Sequence, residues 1–337
     1  MHRDRVNFIN ASTGFRLFFL LAGFLTEIDA FVVALPDPAY YHQQKIYKEP
    51  LIRRPYFNRE EIEEKSMQNE RFETIRHEVT DCMYVTSEAG FFIYNSTSDD
   101  ESPCGLYFMA EPDRIVEVIF THFDVPCEGN GLASFVDGWE LNGEFFPSPG
   151  DHQLPLEQRL SEFCGPRVNK IFTSSQNAAL IQYRIPIKGK GFTVFVKHRL
   201  NPAPCNVLAN ETKAPFMLHN YRRRSNCTLT ALYPCAVRLI AFNVGKKNLF
   251  TDTSIMQKCE SNDKIQIGGS NSLDTNNLKP LHTVCGRNLK PSGEILVGYG
   301  ITSVRLISSG RYDNFVKVMI RKAEENDILD VNLPYGL

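Results

Sequence analysis

The pattern of apolar and polar residues changes once along the chain, near Cys82. Beyond it, apolar runs of strand length follow one another between turn residues: Ile115 to Phe123, Ala179 to Ile185, Phe192 to Val196, Val237 to Phe242, Ile295 to Gly298, Val304 to Ile307 and Phe315 to Ile320. Several alternate. In the last, Val316, Val318 and Ile320 fall on one side and Lys317 and Arg321 on the other, the period-two signature of a half-buried strand. Helical periodicity is nearly absent after Val79 apart from a turn around Leu156 to Glu162, so the pattern predicts an all-β chain of antiparallel sandwiches.

The densest turn chemistry lies between Phe135 and Cys164, in FVDGWELNGEFFPSPGDHQLPLEQRLSEFC. Asp137-Gly138 and Pro149-Gly150 each favour a reversal, because glycine tolerates positive φ and proline presets its own φ. Phe135, Val136, Phe145 and Phe146 flank the reversals, which predicts a strand, a corner and a second strand. Trp139, the only tryptophan of the chain, is expected to pack over that corner. Asp137 and Glu140 are close in sequence, yet an aspartate capping its own turn explains Asp137 without acid-base chemistry.

Upstream the texture differs. Arg3 and Arg5 precede the apolar run Leu17 to Leu25, which ends at polar Thr26, Glu27 and Asp29 before small Ala30. The run is too short to cross a bilayer and has the form of a secretory leader, with cleavage expected after Ala30 and Ala34 as second choice. Residues 31–78 form an N-terminal extension in which Asn58, followed by Glu60, Glu61, Glu63 and Glu64, opens a short helix. No later stretch reaches transmembrane length, so export to the extracellular space is expected.

The chain also repeats itself. Cys82 and Cys104 share their spacing with Cys205 and Cys227, and each pair precedes a wider one, Cys127 with Cys164 and Cys259 with Cys285. Each half ends on a comparable element, read as a hairpin: Ala179 to Tyr183 leading through Gly189 and Gly191, and Val304 to Ile307 leading through Gly310. Two modules of one kind are expected, at 79–201 and 202–322, joined by a short stiff linker at Asn201-Pro202-Ala203-Pro204 and followed by a tail at 323–337.

Charge and motifs narrow the function by exclusion. A net charge of −2 over 337 residues offers no field for nucleic acid or an anionic membrane, and neither is expected as a partner. Nine cysteines suit a disulfide framework or a metal set, and the leader favours the former. There is no Cys-x-x-Cys, no paired histidine, no nucleophile elbow and no phosphate loop, so no cofactor, metal or enzymatic activity is expected. Single histidines such as His122 and His282 are read as surface or packing residues, and Arg222-Arg223-Arg224 as a solvated turn. Asn95, Asn210 and Asn226 begin glycosylation acceptors, of which Asn226, beside Cys227, is the one tied to an ordered surface.

Several strings carry a closer likeness. VDGWELNGEFFPS (Val136 to Ser148), DHQLP (Asp151 to Pro155), FC (Phe163-Cys164), SSQN (Ser174 to Asn177), PCNV (Pro204 to Val207), NCT (Asn226 to Thr228) and YP (Tyr233-Pro234) resemble the corticotropin-releasing factor-binding protein family. Its members are secreted proteins of CUB-like β-sandwich domains. The resemblance implies two tandem CUB-like domains, with Cys82 paired to Cys104, Cys127 to Cys164, Cys205 to Cys227 and Cys259 to Cys285. Cys235 is left as the odd thiol. The family's fifth bridge is missing, since Tyr299 stands at its first cysteine and no cysteine follows Cys285. Gly131 occupies the place of a calcium-binding carboxylate, and Glu78 and Tyr84 replace the residues associated with hormone contact. The ligand-contacting residues therefore stay unassigned. By resemblance the chain should sequester peptides of the corticotropin-releasing factor class, including related diuretic hormones, and limit their receptor signalling. The alternative is an extracellular CUB-type adhesion or matrix module that binds protein or glycan.

Overall fold

The computed structural model describes residues 75–99, 102–166, 171–210, 214–246, 259, 262–324 and 326–327. The leader, the helix expected from Asn58 and most of the tail lie outside the described residues. Twenty-two strands occur among them, and they build two sandwiches.

The first contains β1 (Arg76–Glu78), β2 (Met83–Thr86), β3 (Gly90–Asn95), β4 (Cys104–Met109), β5 (Arg114–Asp124), β6 (Leu132–Asp137), β7 (Trp139–Leu141), β8 (Glu144–Phe146), one helical turn α1 (Leu156–Arg159), β9 (Leu160–Phe163), β10 (Ile171–Thr173), β11 (Ala178–Arg184) and β12 (Gly191–Leu200). One sheet runs β1-β3-β12-β5-β10, the other β2-β4-β11-β6-β9, and β7 and β8 form a separate hairpin. Alternation sets the inward face: Val116, Val118 and Phe120 of β5 and Phe192, Val194 and Val196 of β12 are buried in the core. That core is aromatic. Phe120 meets Phe123 and Phe163 edge-on at 5.3 Å and Phe172 and Phe192 at 5.8 Å between ring centroids.

The second sandwich contains β13 (Val207–Ala209), β14 (Phe216–His219), β15 (Arg224–Ala231), β16 (Cys235–Val244), β17 (Lys264–Ser270), β18 (Lys279–Val284), β19 (Gly286–Asn288), β20 (Glu294–Val297), β21 (Ile301–Ser309) and β22 (Phe315–Lys322). Its sheets run β13-β15-β21-β17-β18 and β14-β22-β16-β19, with β20 also on β16. Here the core is mostly aliphatic, including Val237, Leu239, Ile265, Ile267, Val304, Leu306, Val316 and Val318.

Three expectations need correction. The closing pairs β11/β12 and β21/β22 are not hairpins: in each, the consecutive strands lie in opposite sheets, so the chain crosses the core edge between them. Both members carry a buried face that alternation alone cannot assign to one sheet or the other. The sandwiches are also not wholly antiparallel, since β1-β3, β2-β4 and β13-β15 pair in parallel at the sheet edges. And the first sandwich begins at Arg76 rather than residue 79, because His77 and Glu78 continue the outer sheet beside Phe92 and Ile93.

The bridges join Cys82 to Cys104, Cys127 to Cys164, Cys205 to Cys227 and Cys259 to Cys285. Cys82–Cys104 and Cys205–Cys227, with Cα atoms 4.6 and 4.5 Å apart, tie the short parallel edge strands β2 and β13 to their neighbours. Loops of this length contribute about 3 to 4 kcal/mol each in a chain-entropy estimate. Cys235 stands outside the bridges at the start of β16, buried, with its thiol donating to the Tyr233 carbonyl at 3.4 Å.

Candidate functional site

The chain between β6 and β9 leaves the first sandwich, folds back as the β7-β8 hairpin and returns through α1. At its turn Gly138 has φ +113°, and a Cβ there would lie 2.0 Å from the Phe146 carbonyl oxygen, so only glycine fits. Inside the fold-back sits Arg159, 2% exposed. Its guanidinium donates to three backbone carbonyls: Nε to Asp137 at 3.0 Å, Nη1 to Pro147 at 2.8 Å and Nη2 to Phe146 at 3.2 Å. Burial draws its pKa down to about 10 while Asp137 pushes back, so the group stays cationic at neutral pH.

Asp137 does not cap its own turn, which corrects that expectation. Its carboxylate accepts the Ser175 backbone N–H at 2.6 Å and the Ser175 hydroxyl, and His152 Nε2 stands 3.3 Å away. Local capping lost because the loop 174–177 brings stronger donors to a buried carboxylate. Burial drives this carboxyl upward, but the His152 and Ser175 contacts outweigh it and hold the pKa below the usual carboxylate range. His152 Nδ1 accepts the Leu154 N–H at 2.9 Å, which places the ring proton on Nε2, toward Asp137. The three side chains are not a nucleophile relay, since the serine hydroxyl is spent on the aspartate and not offered to the imidazole. Glu140, three residues on, is held by the Gln182 amide and the Gly143 N–H, and its burial raises its pKa.

Asp137→Asn should therefore lower stability by about 2 kcal/mol at neutral pH. The folded pKa is depressed, so the stabilisation is present above the unfolded carboxylate range and is lost as pH falls through the folded value, from about pH 4 downward. Guanidinium denaturation of both proteins at pH 7 and pH 3 should show the gap closing; a gap of constant size would refute the linkage.

This fold-back is the first module's side of a joint. Tyr107, Val136, Trp139, Phe146, Ala178 and Leu180 form one buried cluster with Leu208 and Leu273 of the second module. Trp139 thus packs into the joint rather than over a lone corner, its indole N–H on the Phe108 carbonyl at 2.8 Å and its ring 5.2 Å from Tyr107. Polar bonds frame the cluster. Asp151, whose side chain is 0% exposed, receives Arg305 Nε at 2.9 Å together with Nη2, and the Thr228 hydroxyl at 2.8 Å. Glu144 takes the Ser272 hydroxyl at 2.7 Å and the Leu273 N–H at 2.8 Å. Asn177 bonds both the N–H and the carbonyl of Leu208, at 2.9 and 2.8 Å. The Gln176 side-chain oxygen accepts the N–H groups of Cys205 and Asn206, so residues 201–206 are docked on the first module and are not a simple spacer.

At the edge of the joint lies a polar cavity of about 720 Å³, with His152 and Gln153 on one side and Arg224, Arg311 and Tyr312 on the other. Asn226 lines it too and donates to the Gly150 carbonyl at 3.1 Å. Asn95 is exposed at the end of β3 and Asn210 is half-buried beyond β13. The arginine run is a turn in which Tyr221 and Arg222 have positive φ and all three arginines are exposed. His122 and His282 are exposed, Glu78 lies on β1 and Tyr84 on β2. Among the described residues no group of three or more His, Cys, Asp or Glu side chains could hold a metal ion.

Nothing in the sequence marks Arg159, Gln176, Asn177 or Arg305 one by one as a joint residue. Yet SSQN, DHQLP, PCNV and NCT, scattered along the sequence, all deliver bonds to this joint. Fold and joint together define a two-module β-sandwich protein in which the buried polar groups lock the modules to each other.

Residues 74–200 match the family model of the corticotropin-releasing factor binding protein N-terminal domain, and residues 207–329 that of its C-terminal domain. The chain belongs to the corticotropin-releasing factor-binding protein family. It is 29% identical over 253 residues to the corticotropin-releasing factor-binding protein of Homo sapiens, covering 74% of this chain and 78% of the relative. With that of Xenopus laevis the identity is 28% over 238 residues, covering 70% and 74%. Among solved structures, the CUB1-EGF-CUB2 domains of rat MASP-1 align over 73% of this chain and 100% of theirs, at 13% identity and a TM-score of 0.25, too low to add to the topology above.

Proposed function

We propose that the protein is exported and captures a peptide of the corticotropin-releasing factor class, related diuretic hormones included, lowering its free concentration without altering it chemically. The observation that carries this reading is the family match across both modules, with relatives whose name states that they bind corticotropin-releasing factor. The locked joint supports it, because a scaffold already rigid loses little freedom on binding. The one Ser, His and Asp grouping in the joint is wired for structure, in keeping with a binder rather than an enzyme.

Peptides of this kind order on binding, a step that costs about 2 to 5 kcal/mol and must be offset by apolar burial along one helix face. Calorimetry with synthetic corticotropin-releasing factor and with a related diuretic peptide should give a negative heat-capacity change, circular dichroism a gain of helix, and mass spectrometry an unchanged peptide. No binding at micromolar concentration to either peptide would remove this reading and leave adhesion to protein or glycan in its place.

A further inference from the structure

Each sandwich turns two sheet faces away from its own core. In the first module the outward face of β2-β4-β11-β6-β9 carries Tyr107, Val136 and Leu180 into the joint, where Leu208 and Leu273 of the second module meet them. The outward faces of β1-β3-β12-β5-β10 and β14-β22-β16-β19 are left, and they differ in chemistry. In the second module that face carries charges that satisfy one another: Glu294 with Arg238 at 3.2 Å and Arg321 at 2.7 Å, and Arg321 with Asp327 at 2.6 Å.

The first module's outer face is built otherwise. Strand register aligns Arg76, Phe91, Phe195, Ile119 and Ile171 in one row across five strands. None of the four apolar members is buried, and Ile171 is 58% exposed. Phe91 and Phe195 lie ring against ring at 4.7 Å. Arg76 stands over Phe91 at 5.8 Å and Lys197 over Phe195 at 5.2 Å. On the same flank Arg199 holds Glu117 at 2.8 Å, while Glu78 borders the opposite flank, opposite Ile93.

We propose that this row is where the peptide docks, as an amphipathic helix laid across the strands with its apolar face on Phe91, Phe195, Ile119 and Ile171 and acidic residues toward Arg76 and Lys197. This rests on the peptide-binding reading above and adds the face that performs it. The dimensions agree. Three strand spacings span about 14 Å, the rise of about ten helical residues, and the strand spacing of about 4.8 Å is close to the helical pitch of about 5.4 Å. An apolar side chain on each of three successive helical turns therefore meets successive strands. The cations above the aromatic rings select for the acidic flank of such a helix, because an ammonium or guanidinium held on a ring face still presents its remaining donors outward.

The test compares the full chain with three variants, using synthetic corticotropin-releasing factor as probe in calorimetry. Ile119→Ser combined with Phe195→Ser should raise Kd about tenfold or more, as expected when central apolar anchors are removed, and Met217→Ser on the second module's outer sheet should leave it unchanged. Lys197→Glu should weaken binding and reduce its salt dependence. Wild-type binding with an undiminished double variant overturns the placement but not the peptide-binding function; absence of wild-type binding overturns both. Should the double variant not fold, hydroxyl-radical footprinting of the wild-type protein decides. Peptide-dependent protection of Phe91, Phe195 and Ile171 supports the site. Oxidation unchanged by peptide overturns it, as does protection present before peptide is added, which would mean that the face is already covered in the peptide-free protein.

Discussion

Asp151→Ala is expected to lower the stability of the protein by about 3 to 5 kcal/mol, the range for removing one partner of a buried ion pair. The side chain is fully enclosed, and its loss strands the Arg305 guanidinium, itself only 14% exposed, and the Thr228 hydroxyl inside the joint. Arg305→Ala should cost a similar amount, and the double alanine variant much less than the sum, because each single change already forfeits the shared contact. Urea denaturation followed by tryptophan fluorescence is a suitable readout, since Trp139 lies in the same joint. A loss below about 1 kcal/mol for Asp151→Ala would show that the pair is as weak as an exposed one.

The second large effect belongs to Arg159. Replacing it with alanine leaves the carbonyls of Asp137, Phe146 and Pro147 without their donor and opens a void beneath Gly138, for an expected loss of about 4 kcal/mol. Lysine should restore only part. Its single ammonium nitrogen cannot reach three carbonyls that a planar guanidinium reaches with separate nitrogens. Thermal melts of Arg159→Ala and Arg159→Lys measure both steps, and a lysine variant that melts with the wild type would refute the three-carbonyl account. Because α1 and the β7-β8 hairpin form one side of the joint, both variants should also gain sensitivity to protease between residues 138 and 164.

Much of the all-β architecture could be read from period-two runs such as Val316, Val318 and Ile320, all buried in β22 as the alternation requires. The run Ala178 to Tyr183 held a further signal: it is apolar with little alternation, and β11 proves buried on both faces, one in the sandwich core and the other in the joint. What could not be read was partnership. Asp151 and Arg305 lie 154 positions apart, and nothing in either neighbourhood marks one for the other. The type of Asp137 was visible and its partners were not, so a local cap was expected where Ser175 and His152 take the carboxylate. The row on the outer sheet escaped for a related reason. Phe91, Ile119, Ile171 and Phe195 are ordinary strand residues until pairing register puts them side by side.

The short strands at the margins of that sheet have a bearing on how the protein could keep an apolar row open in a crowded fluid. β1 and β10 each contribute only three residues, Arg76–Glu78 and Ile171–Thr173, and β1 carries a charge at both ends. Open sheet borders invite another chain to add on sideways, and brevity and charge are the usual deterrents. A neighbour attempting to extend this sheet would find two or three backbone groups to join, too few to nucleate a lasting ladder. Sideways polymerisation is thereby discouraged at the borders of a sheet whose outer face carries an apolar row, so that the row lies open without its edges becoming a template for fibril growth.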